Sequence, residues 1–480
     1  MSDFIPPYPH RFAREPSTWQ RIRAARKNLI GMWAEGAFQY DFIGARILAQ
    51  RVFVCNTPET VQYVFNTRNS VFERKSPTMR HMLKPLIGDG LFISDGETWR
   101  KRRRLVSPII HVSNTSAFAP VMADTAREMA GRWAALPEGA PIDALAEMAR
   151  LTAEIICRAI FGQELGQERA REIVEGFTDF QHTVSLIDLP SMLGLPDWWP
   201  RFRPSSLFRS TRRIQRTLDD IIATYRKRGD AAGSSFIGQL LEARDEETGE
   251  KLSPEALRNE AIVIFMAGHE TTANTLAFAW FLISQAADVE ARLHQELDRV
   301  LGGRPPTLAD VPNLAYTRAI IEETLRLYPP IPVLAREAMS DDVIEGHKVP
   351  RNSLLMVVPF LLHRKKGLWH SPDRFVPERF LPGGSGAPSK WAYVPFSIGP
   401  RICAGLAFGL TEAIICLATL AQRFTLQLEP GHVVEPVCQV SLRPGESLPM
   451  RVHRRERAPV MATAATVGAN QAVGCPIHHG

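Results

Sequence analysis

Hydrophobic positions along the chain predict a mainly helical protein with a smaller β region. The stretch from Ser253 to about Ser284 begins with a Ser-Pro-Glu helix start and then stays apolar around most of its circumference, without a further proline. Such a pattern predicts a long, buried central helix. Amphipathic, charged helices are predicted at 288–300 and 313–327. The 122–228 region also has mostly helical periodicity, with a break at 189–204 where prolines and tryptophans cluster.

The β-like segments are short and few. Loose alternation of β-branched residues predicts a strand at 47–55, and Thr57-Pro58 then supplies an N-cap and a first helical residue. Further short strands are expected within 333–358, in a mostly antiparallel sheet. Turn-forming residues at 88–98 precede a helix that we expect to begin near Trp99. Residues 459–480 are alanine-rich and low in charge, which is typical of a disordered tail.

Composition changes this interpretation little. The chain is 45% hydrophobic and 22% charged, which is ordinary for a globular enzyme. Its 480 residues exceed the usual size of one core, so length alone suggests two or three domains. The net charge of +6 is small, and no basic stripe is interleaved with aromatics, so we expect no nucleic-acid partner. Basic runs at 101–104 and 451–457 are either solvated surface or a docking patch for an acidic partner.

The cysteines and the N-terminus bear on the compartment. The six cysteines form no C-x-x-C motif, and their spacing suggests neither a disulfide framework nor a zinc site. The simplest expectation is a reducing compartment, the cytoplasm. The N-terminus lacks the pattern of a signal peptide, and no apolar stretch reaches the roughly 20 residues of a membrane-spanning helix. Cys475, His478 and His479 are metal-binding residue types, but we expect no metal site on a tail.

One stretch near the C-terminus carries the strongest chemical signal. Its cysteine stands in a glycine-containing turn that opens a helix, where backbone N–H groups and the positive helix end stabilise a thiolate. The glycines allow a tight turn and the close approach of a flat macrocycle. An arginine two residues before the cysteine suits a carboxylate. The alternative is a buried structural cysteine. The residues of this pattern are Phe396, Gly399, Arg401, Cys403 and Gly405.

This pattern resembles the haem-binding signature of the cytochromes P450. Ser397 departs from it, because the family more often has glycine there. The resemblance implies the cytochrome P450 fold, mainly α with a minor β region, as a single haem domain over 1–458. It also implies haem b as cofactor, Cys403 as the iron ligand, and an oxidoreductase that acts as a monooxygenase. The expectation of two or three domains gives way to this one.

A second resemblance concerns an acid and two arginines. Glu323 and Arg326 are three residues apart, which places both on one helix face, and Arg379 follows in a Pro-Glu-Arg-Phe segment. The simplest interpretation is a surface ion pair. Both segments resemble the paired motifs of the same family, however. The resemblance implies a buried network with a structural role, holding the loop that carries the thiolate.

A third resemblance lies inside the long apolar helix. Glycine, a carboxylate and threonines are poor choices for such a helix, unless they form a kink whose side chains bond back to the backbone. In the family this motif opens a groove for dioxygen. The resemblance implies that Ala267 and Gly268 border the cofactor, that Thr271 hydrogen-bonds dioxygen there, and that Glu270 supplies protons through water. The adjacent His269 is interpreted as structural.

The resemblance also implies the groups that bind the haem propionates. Trp99 and Arg103 are four residues apart and share one helix face. They and Arg336 correspond to the family's propionate donors, and guanidinium and indole N–H groups suit such anions. Nothing resembles a flavin or nicotinamide fingerprint, so we expect an external ferredoxin- or flavodoxin-type electron donor, docking near the basic run at 101–104.

The substrate is expected to be lipophilic, such as a terpenoid, a fatty acid or an aromatic compound. The segments that would line the pocket are mainly apolar. Two other functions stay open at this point, a peroxygenase driven by hydrogen peroxide and a non-catalytic haem protein that carries or senses a gas. The acid–alcohol pair at 270–271 argues against both. The candidate substrate-contacting residues are Phe265, Ile331, Val333 and Leu442.

Overall fold

The structure of the protein is a computed structural model. It describes residues 4–111, 114–162, 167–183, 188–201, 203–228, 235–386 and 388–455. The tail predicted at 459–480, with its Cys475, His478 and His479, lies outside the described residues.

The described part of the chain is dominated by helices, as the hydrophobic pattern predicts. The predicted central helix forms over the expected residues, and the helix expected near Trp99 begins three residues earlier, at Gly96. The helices are α1 (Thr18–Lys27), α2 (Pro58–Gln62), α3 (Asn69–Phe72), α4 (Pro77–Ile87), α5 (Gly96–Val106), α6 (Thr115–Ala134), α7 (Ala144–Phe161), α8 (Gln167–Thr183), α9 (Leu189–Met192), α10 (Ser205–Arg228), α11 (Phe236–Glu242), α12 (Pro254–Ser284), α13 (Ala287–Leu301), α14 (Ala315–Leu327), α15 (Pro359–Leu362) and α16 (Leu406–Ala421).

The strands form a small and mostly antiparallel β region. The largest sheet has the order β1-β2-β8-β5-β3, in which only β2 and β8 are parallel. A three-stranded sheet has the order β4-β12-β9, and two further pairs are β6-β7 and β10-β11. The strands are β1 (Phe42–Ile47), β2 (Gln50–Cys55), β3 (Arg74–Lys75), β4 (Ala140–Asp143), β5 (Leu334–Glu337), β6 (Asp342–Ile344), β7 (His347–Val349), β8 (Leu354–Val357), β9 (Phe424–Leu428), β10 (Val437–Cys438), β11 (Leu442–Arg443) and β12 (Pro449–Arg454).

The single strand predicted at 47–55 is wrong. Ile47 ends β1, and β2 begins at Gln50, so the two strands form an antiparallel hairpin. The turn between them contains Leu48 at a φ of 56°, a conformation that strands do not adopt. The hydrophobic alternation continues across this turn in the sequence, which is why the pattern did not reveal it.

Helix α12 is the centre of the fold because its sequence starts it firmly and keeps it apolar. The Ser253 hydroxyl accepts the Ala256 N–H at 3.2 Å, and Pro254 stands at the first turn, where its missing N–H costs nothing. The apolar side chains that follow join one hydrophobic core with residues from Ile30 to Val452. Among the described helices, none combines the length and the apolarity needed to cross a membrane.

Glu323, Arg326 and Arg379 form the buried contacts that their motifs imply. The Glu323 carboxylate accepts both Nε and Nη2 of Arg326, at 2.7 and 2.8 Å, and Nε of Arg379 at 3.1 Å. Arg326 also donates to the backbone carbonyls of His363, Pro372 and Arg374. The network thereby joins α14 to the 363–379 segment.

We predict that Glu323→Ala destabilises the protein by about 3–5 kcal/mol, because two buried guanidinium groups lose their carboxylate. Urea unfolding of the purified protein measures the change. Glu322→Ala is the matched control, since Glu322 pairs on the same helix with the half-exposed Arg318 and should cost only about 0–1 kcal/mol. Equal stability of the two variants would contradict the structural role of Glu323.

Candidate active site

The turn before α16 holds Cys403 through backbone contacts. The Cys403 N–H donates to the Phe396 carbonyl at 2.8 Å. Gly399 has a φ of 74°, and a Cβ placed on it would lie 2.0 Å from the carbonyl oxygen of Phe65. Any side chain at that position would therefore collide with the backbone. Gly399 is required here both for its conformation and for its close contact with the 63–67 turn.

The Cys403 sulfur lies among groups that favour its anionic form. The Cys403 side chain keeps accessible surface. The protein atoms packed around its thiol nevertheless exclude enough water to raise the pKa of the thiol. The Gly405 N–H, which donates to the sulfur, and the cations Arg103 and Lys75 oppose that effect and lower the pKa. Because α16 begins directly afterwards at Leu406, its N-terminal end also faces this turn. Burial is the largest of these effects, so in the protein alone the pKa of the Cys403 thiol stays above its usual value.

Three cations near the sulfur are packed among protein atoms with too few carboxylates nearby to balance their charge. They are Arg336, Arg401 and Lys75. Burial and the adjacent Arg401 lower the pKa of Arg336 to about 9, and its Nη2 has no hydrogen-bond partner in the described part of the chain. Burial also lowers the pKa of Arg401 to about 10. Lys75 has a pKa well below its usual value because of burial, Arg336 and Arg401. A cofactor with carboxylates beside its metal fits this donor set, as a haem does.

Trp99 and Arg401 are in direct contact. The Arg401 guanidinium carbon lies 4.6 Å from the centroid of the half-buried Trp99 ring. Arg401 also donates through Nη1 to the Glu73 carbonyl at 2.8 Å and through Nη2 to the Ser94 carbonyl. Its Nε has no partner among the described residues. Two of the three Arg401 guanidinium nitrogens thus fix the turn to the 73–94 region.

Lys75 is a site residue that the sequence did not reveal. It lies on β3 directly opposite Arg336 on β5, and its Nζ is 4.7 Å from the Phe92 ring centroid. A two-residue strand leaves no periodicity to detect. Only the pairing of β3 with β5 shows that this lysine faces the sulfur, so no local signal could have found it.

The 267–271 turn of α12 is the accessible part of an otherwise buried helix. Ala267 is exposed in the middle of the helix, and Thr271 is half-buried. The Thr271 hydroxyl donates to the Ala267 carbonyl at 2.7 Å, which is the back-bonding that the simpler interpretation expects. A Cβ placed on Gly409 of α16 would lie 3.8 Å from Oγ1 of Thr272. This contact brings the turn close to the helix that begins just after Cys403.

Gly268 packs closely against a neighbouring helix. A Cβ at Gly268 would lie 2.8 Å from the side chain of Ile156 on α7. The missing side chain therefore lets α7 and α12 approach closely. His269 is structural, as expected, because burial lowers the pKa of its ring to about 4 and its carbonyl accepts the Thr152 hydroxyl at 2.8 Å.

Glu270 lies on the side of α12 that faces the β10–β11 turn. Burial raises the pKa of the Cys438 thiol, and the nearby Glu270 raises it further while Arg443 lowers it. One turn later, Asn274 donates to the Ser441 hydroxyl at 2.9 Å. The half-buried Glu270 carboxyl thus lies beside this turn, one residue from the threonine with which it was paired.

Two of the four candidate substrate contacts are wrong. Phe265 is only 2% exposed, because it packs against Phe177 and His269 at ring distances of 6.0 and 5.6 Å. Leu442 is fully buried, and its N–H donates to the Pro330 carbonyl at 2.9 Å. Both side chains are part of the hydrophobic core. Ile331 and Val333 are half-buried and remain candidates.

The basic run at 101–104 is largely neutralised by neighbouring acids. Lys101 pairs with Glu250 at 2.5 Å, and Arg104 lies 3.0 Å from both Asp245 and Glu247. The run therefore presents less free positive charge to a partner than the sequence suggests. Arg103 is turned toward Cys403 instead.

Comparison with known proteins gives a consistent result. A family profile described as "Cytochrome P450" matches residues 36–446. The chain is 34% identical to cyclooctatin synthase of Streptomyces melanosporofaciens over 84% of this chain and 87% of that protein. It is 29% identical to pentalenene oxygenase of Streptomyces avermitilis over 91% and 94% of the two chains. The crystal structure of the cytochrome P450DA heme domain superposes with a TM-score of 0.76 at 26% identity, covering 87% of this chain and 90% of that one.

We predict that Cys403→Ala abolishes the thiolate band in the spectrum of the reduced carbon monoxide complex, because alanine offers no sulfur ligand. Cys416→Ala is the control, since Cys416 is fully buried on α16 and should leave the band intact. A native band in Cys403→Ala would contradict the ligand assignment.

We also predict that Ser397→Gly stabilises the protein by about 1 kcal/mol. Ser397 has a φ of 60°, and its buried hydroxyl has no partner among the described residues. Glycine removes both the left-handed strain and the unpaired group. Ser397→Ala removes only the hydroxyl, so urea unfolding of both variants separates the two effects. A destabilised glycine variant would show that this serine is not strained.

Proposed function

Because the chain belongs to the cytochrome P450 family, we propose that it binds haem b through Cys403 and oxidises a lipophilic organic substrate. The chain is a haem-thiolate monooxygenase, which needs a redox partner and dioxygen. The observation that carries the site assignment is the accessible Cys403 sulfur beside Arg103, Lys75 and the Gly405 N–H. A haem with a thiolate ligand, when bound, supplies the reductive activation of dioxygen.

The residues around the sulfur have two tasks in this proposal. The Gly405 N–H hydrogen-bonds the thiolate and so tunes how strongly the sulfur donates electrons. Arg103, Arg336 and Lys75 neutralise the propionates, with the unpartnered Nη2 of Arg336 as one of the donors. Trp99 and Arg401 are further donors to the propionates in this proposal, and Arg401 also fixes the turn through Nη1 and Nη2. The Glu323 network holds the segment that leads to this turn.

Proton handling is assigned to Thr271 and Glu270. The Thr271 hydrogen is donated to the Ala267 carbonyl, so the hydroxyl oxygen is free to accept a hydrogen bond and to hold water on the accessible face of α12. Glu270, beside the β10–β11 turn, takes up protons and passes them through water to that face. This acid–alcohol pair supports a dioxygen-driven reaction over a peroxide-driven one or a gas carrier.

The substrate is proposed to be a largely hydrocarbon molecule such as a terpenoid. Ala267, Ile331 and Val333 supply accessible or half-buried apolar surface. The relatives include proteins named for pentalenene and for cyclooctat-9-en-7-ol, by these names an alkene and an alkenol. A screen of such compounds, recorded as a shift of the haem spectrum, tests the class. Carboxylate compounds binding better than hydrocarbons would contradict it.

The remaining assignments concern the setting of the enzyme. We propose an external ferredoxin or flavodoxin as the electron donor, one haem domain over 1–458, and a cytoplasmic location. A continuous core from Ile30 to Val452 supports the single domain. The free thiols of the five described cysteines support a reducing compartment.

We predict that Thr271→Ala still binds substrate and consumes reductant and dioxygen, but releases mostly hydrogen peroxide. Product formed per reducing equivalent should fall at least about tenfold, because positioned proton transfer contributes about 10²–10⁴-fold to such reactions. Peroxide and product are measured together. Thr275→Ala is the control, since the Thr275 hydroxyl makes the same back-bond at 2.8 Å but is buried.

A Thr271→Ala variant as well coupled as the wild type would contradict the role of this threonine. Product formation from peroxide in the wild type, with none from an electron donor, would favour the peroxygenase. Reversible dioxygen binding without any product from the screened compounds would favour the gas carrier.

A further inference from the structure

The 88–93 segment, between α4 and α5, is pressed against the first half of α12. A Cβ placed on Gly88 would lie 2.3 Å from Nδ2 of Asn259, and one on Gly90 would lie 2.9 Å from Cγ2 of Val263. Gly88 also has a φ of 53°. The segment therefore has glycine at the positions where its backbone contacts α12 most closely, and its path is set by that contact.

Glu260 joins this segment to two helices from a fully buried position. It lies on α12 with no exposed surface, and its two carboxylate oxygens accept the Leu91 N–H at 3.1 and 3.2 Å. Nε of Arg102, on α5, is 3.4 Å from the same carboxylate. Arg102 also donates to Asp89 at 3.0 Å. One acid thus connects α12, α5 and the segment between α4 and α5.

This arrangement is costly, which suggests that it has a purpose beyond packing. A buried carboxylate loses its hydration, and the interaction with a single arginine seldom compensates fully. Burial and Asp89 raise the pKa of Glu260, to about 7, although Arg102 and the Leu91 N–H oppose them. An apolar residue would fill the same space without this penalty. What the carboxylate supplies, and an apolar side chain cannot, is an acceptor that fixes the Leu91 amide.

The residue after Leu91 connects the clamp to the active site. Phe92 is half-buried, and its ring lies against Nζ of Lys75, one of the cations beside the Cys403 sulfur. Fixing the Leu91 amide therefore fixes where the Phe92 ring stands relative to the sulfur. Leu91, Phe92 and Ile93 are also apolar, as the wall of a pocket for a lipophilic substrate would be.

We propose that Glu260 is a positioning residue that clamps the 88–93 segment, and with it Phe92, over the substrate side of the Cys403 site. This inference rests on the proposed haem-binding function. A released segment lets the aromatic wall move, so large apolar ligands lose a fixed surface, whereas small ligands that reach only the metal are unaffected. Glu260 touches neither ligand nor cofactor in this role.

The test uses two neutral probes that bind haem iron, pyridine and 4-phenylpyridine, with dissociation constants taken from the shift of the haem spectrum. Glu260→Leu should weaken 4-phenylpyridine about tenfold, the loss expected when one hydrogen bond to a charged group is removed, and leave pyridine unchanged. Glu296→Gln is the matched control. Glu296 is also buried and accepts the Tyr316 and Thr317 N–H groups, at 2.7 and 2.8 Å, but lies on α13.

A pH profile provides a second readout that a purely structural role would not change. In the wild type the charged carboxylate holds the Leu91 amide most strongly, so affinity for 4-phenylpyridine should fall as the pH is lowered through about 7. The groups facing the carboxylate are Arg102, Asp89 and the Leu91 N–H. Glu260→Gln keeps one acceptor and cannot titrate, so its affinity should be intermediate and independent of pH in this range.

The results distinguish failure of the clamp from failure of the proposed haem-binding function. Failure of the wild type to bind either probe through a haem would contradict the proposed function itself. Normal binding in the wild type, with Glu260→Leu and Glu296→Gln alike, would overturn the clamp. If Glu260→Leu does not fold, the glutamine variant decides, and a wild-type pH profile in that variant would also overturn the clamp.

Discussion

Like charges repel most strongly where water is excluded, and the Cys403 site brings several cations together in such a place. Lys75, Arg103, Arg336 and Arg401 come from β3, α5, β5 and the turn before α16. Burial, followed by repulsion from neighbouring cations, lowers the pKa values of Lys75, Arg336 and Arg401. A thiolate and the carboxylates of a haem neutralise this charge together. Cofactor binding and the stability of the whole site are therefore coupled.

The turn that carries the sulfur is held by contacts with distant parts of the chain. Gly399 sits on the backbone of Phe65, and Arg401 reaches the carbonyls of Glu73 and Ser94. The buried Glu323 network fixes the segment that leads into the turn. These contacts leave the sulfur accessible while its surroundings stay rigid, which is what a metal ligand needs.

Helix α12 serves a different neighbour on each of its faces. Its first half holds the 88–93 segment through Glu260, and its middle packs on α7 through Gly268. The same middle turn presents Thr271 to the accessible side, while Thr272 lies against α16. Polar residues in a buried helix are costly individually. Here each one has a specific contact, and these contacts set the positions of the surrounding elements.

The sequence by itself determined the mainly helical fold, the sulfur turn and the acid–arginine motif, because these depend on spacing along one helix or turn. The tertiary structure decided which side chains meet. Adjacent helical residues point about 100° apart, so Arg102 turns to Glu260 while Arg103 turns to the sulfur. Lys75 is brought to the site by strand pairing. Phe265 is buried in the core instead of lining the substrate pocket. Such environments depend on residues distant in sequence, which no local pattern encodes.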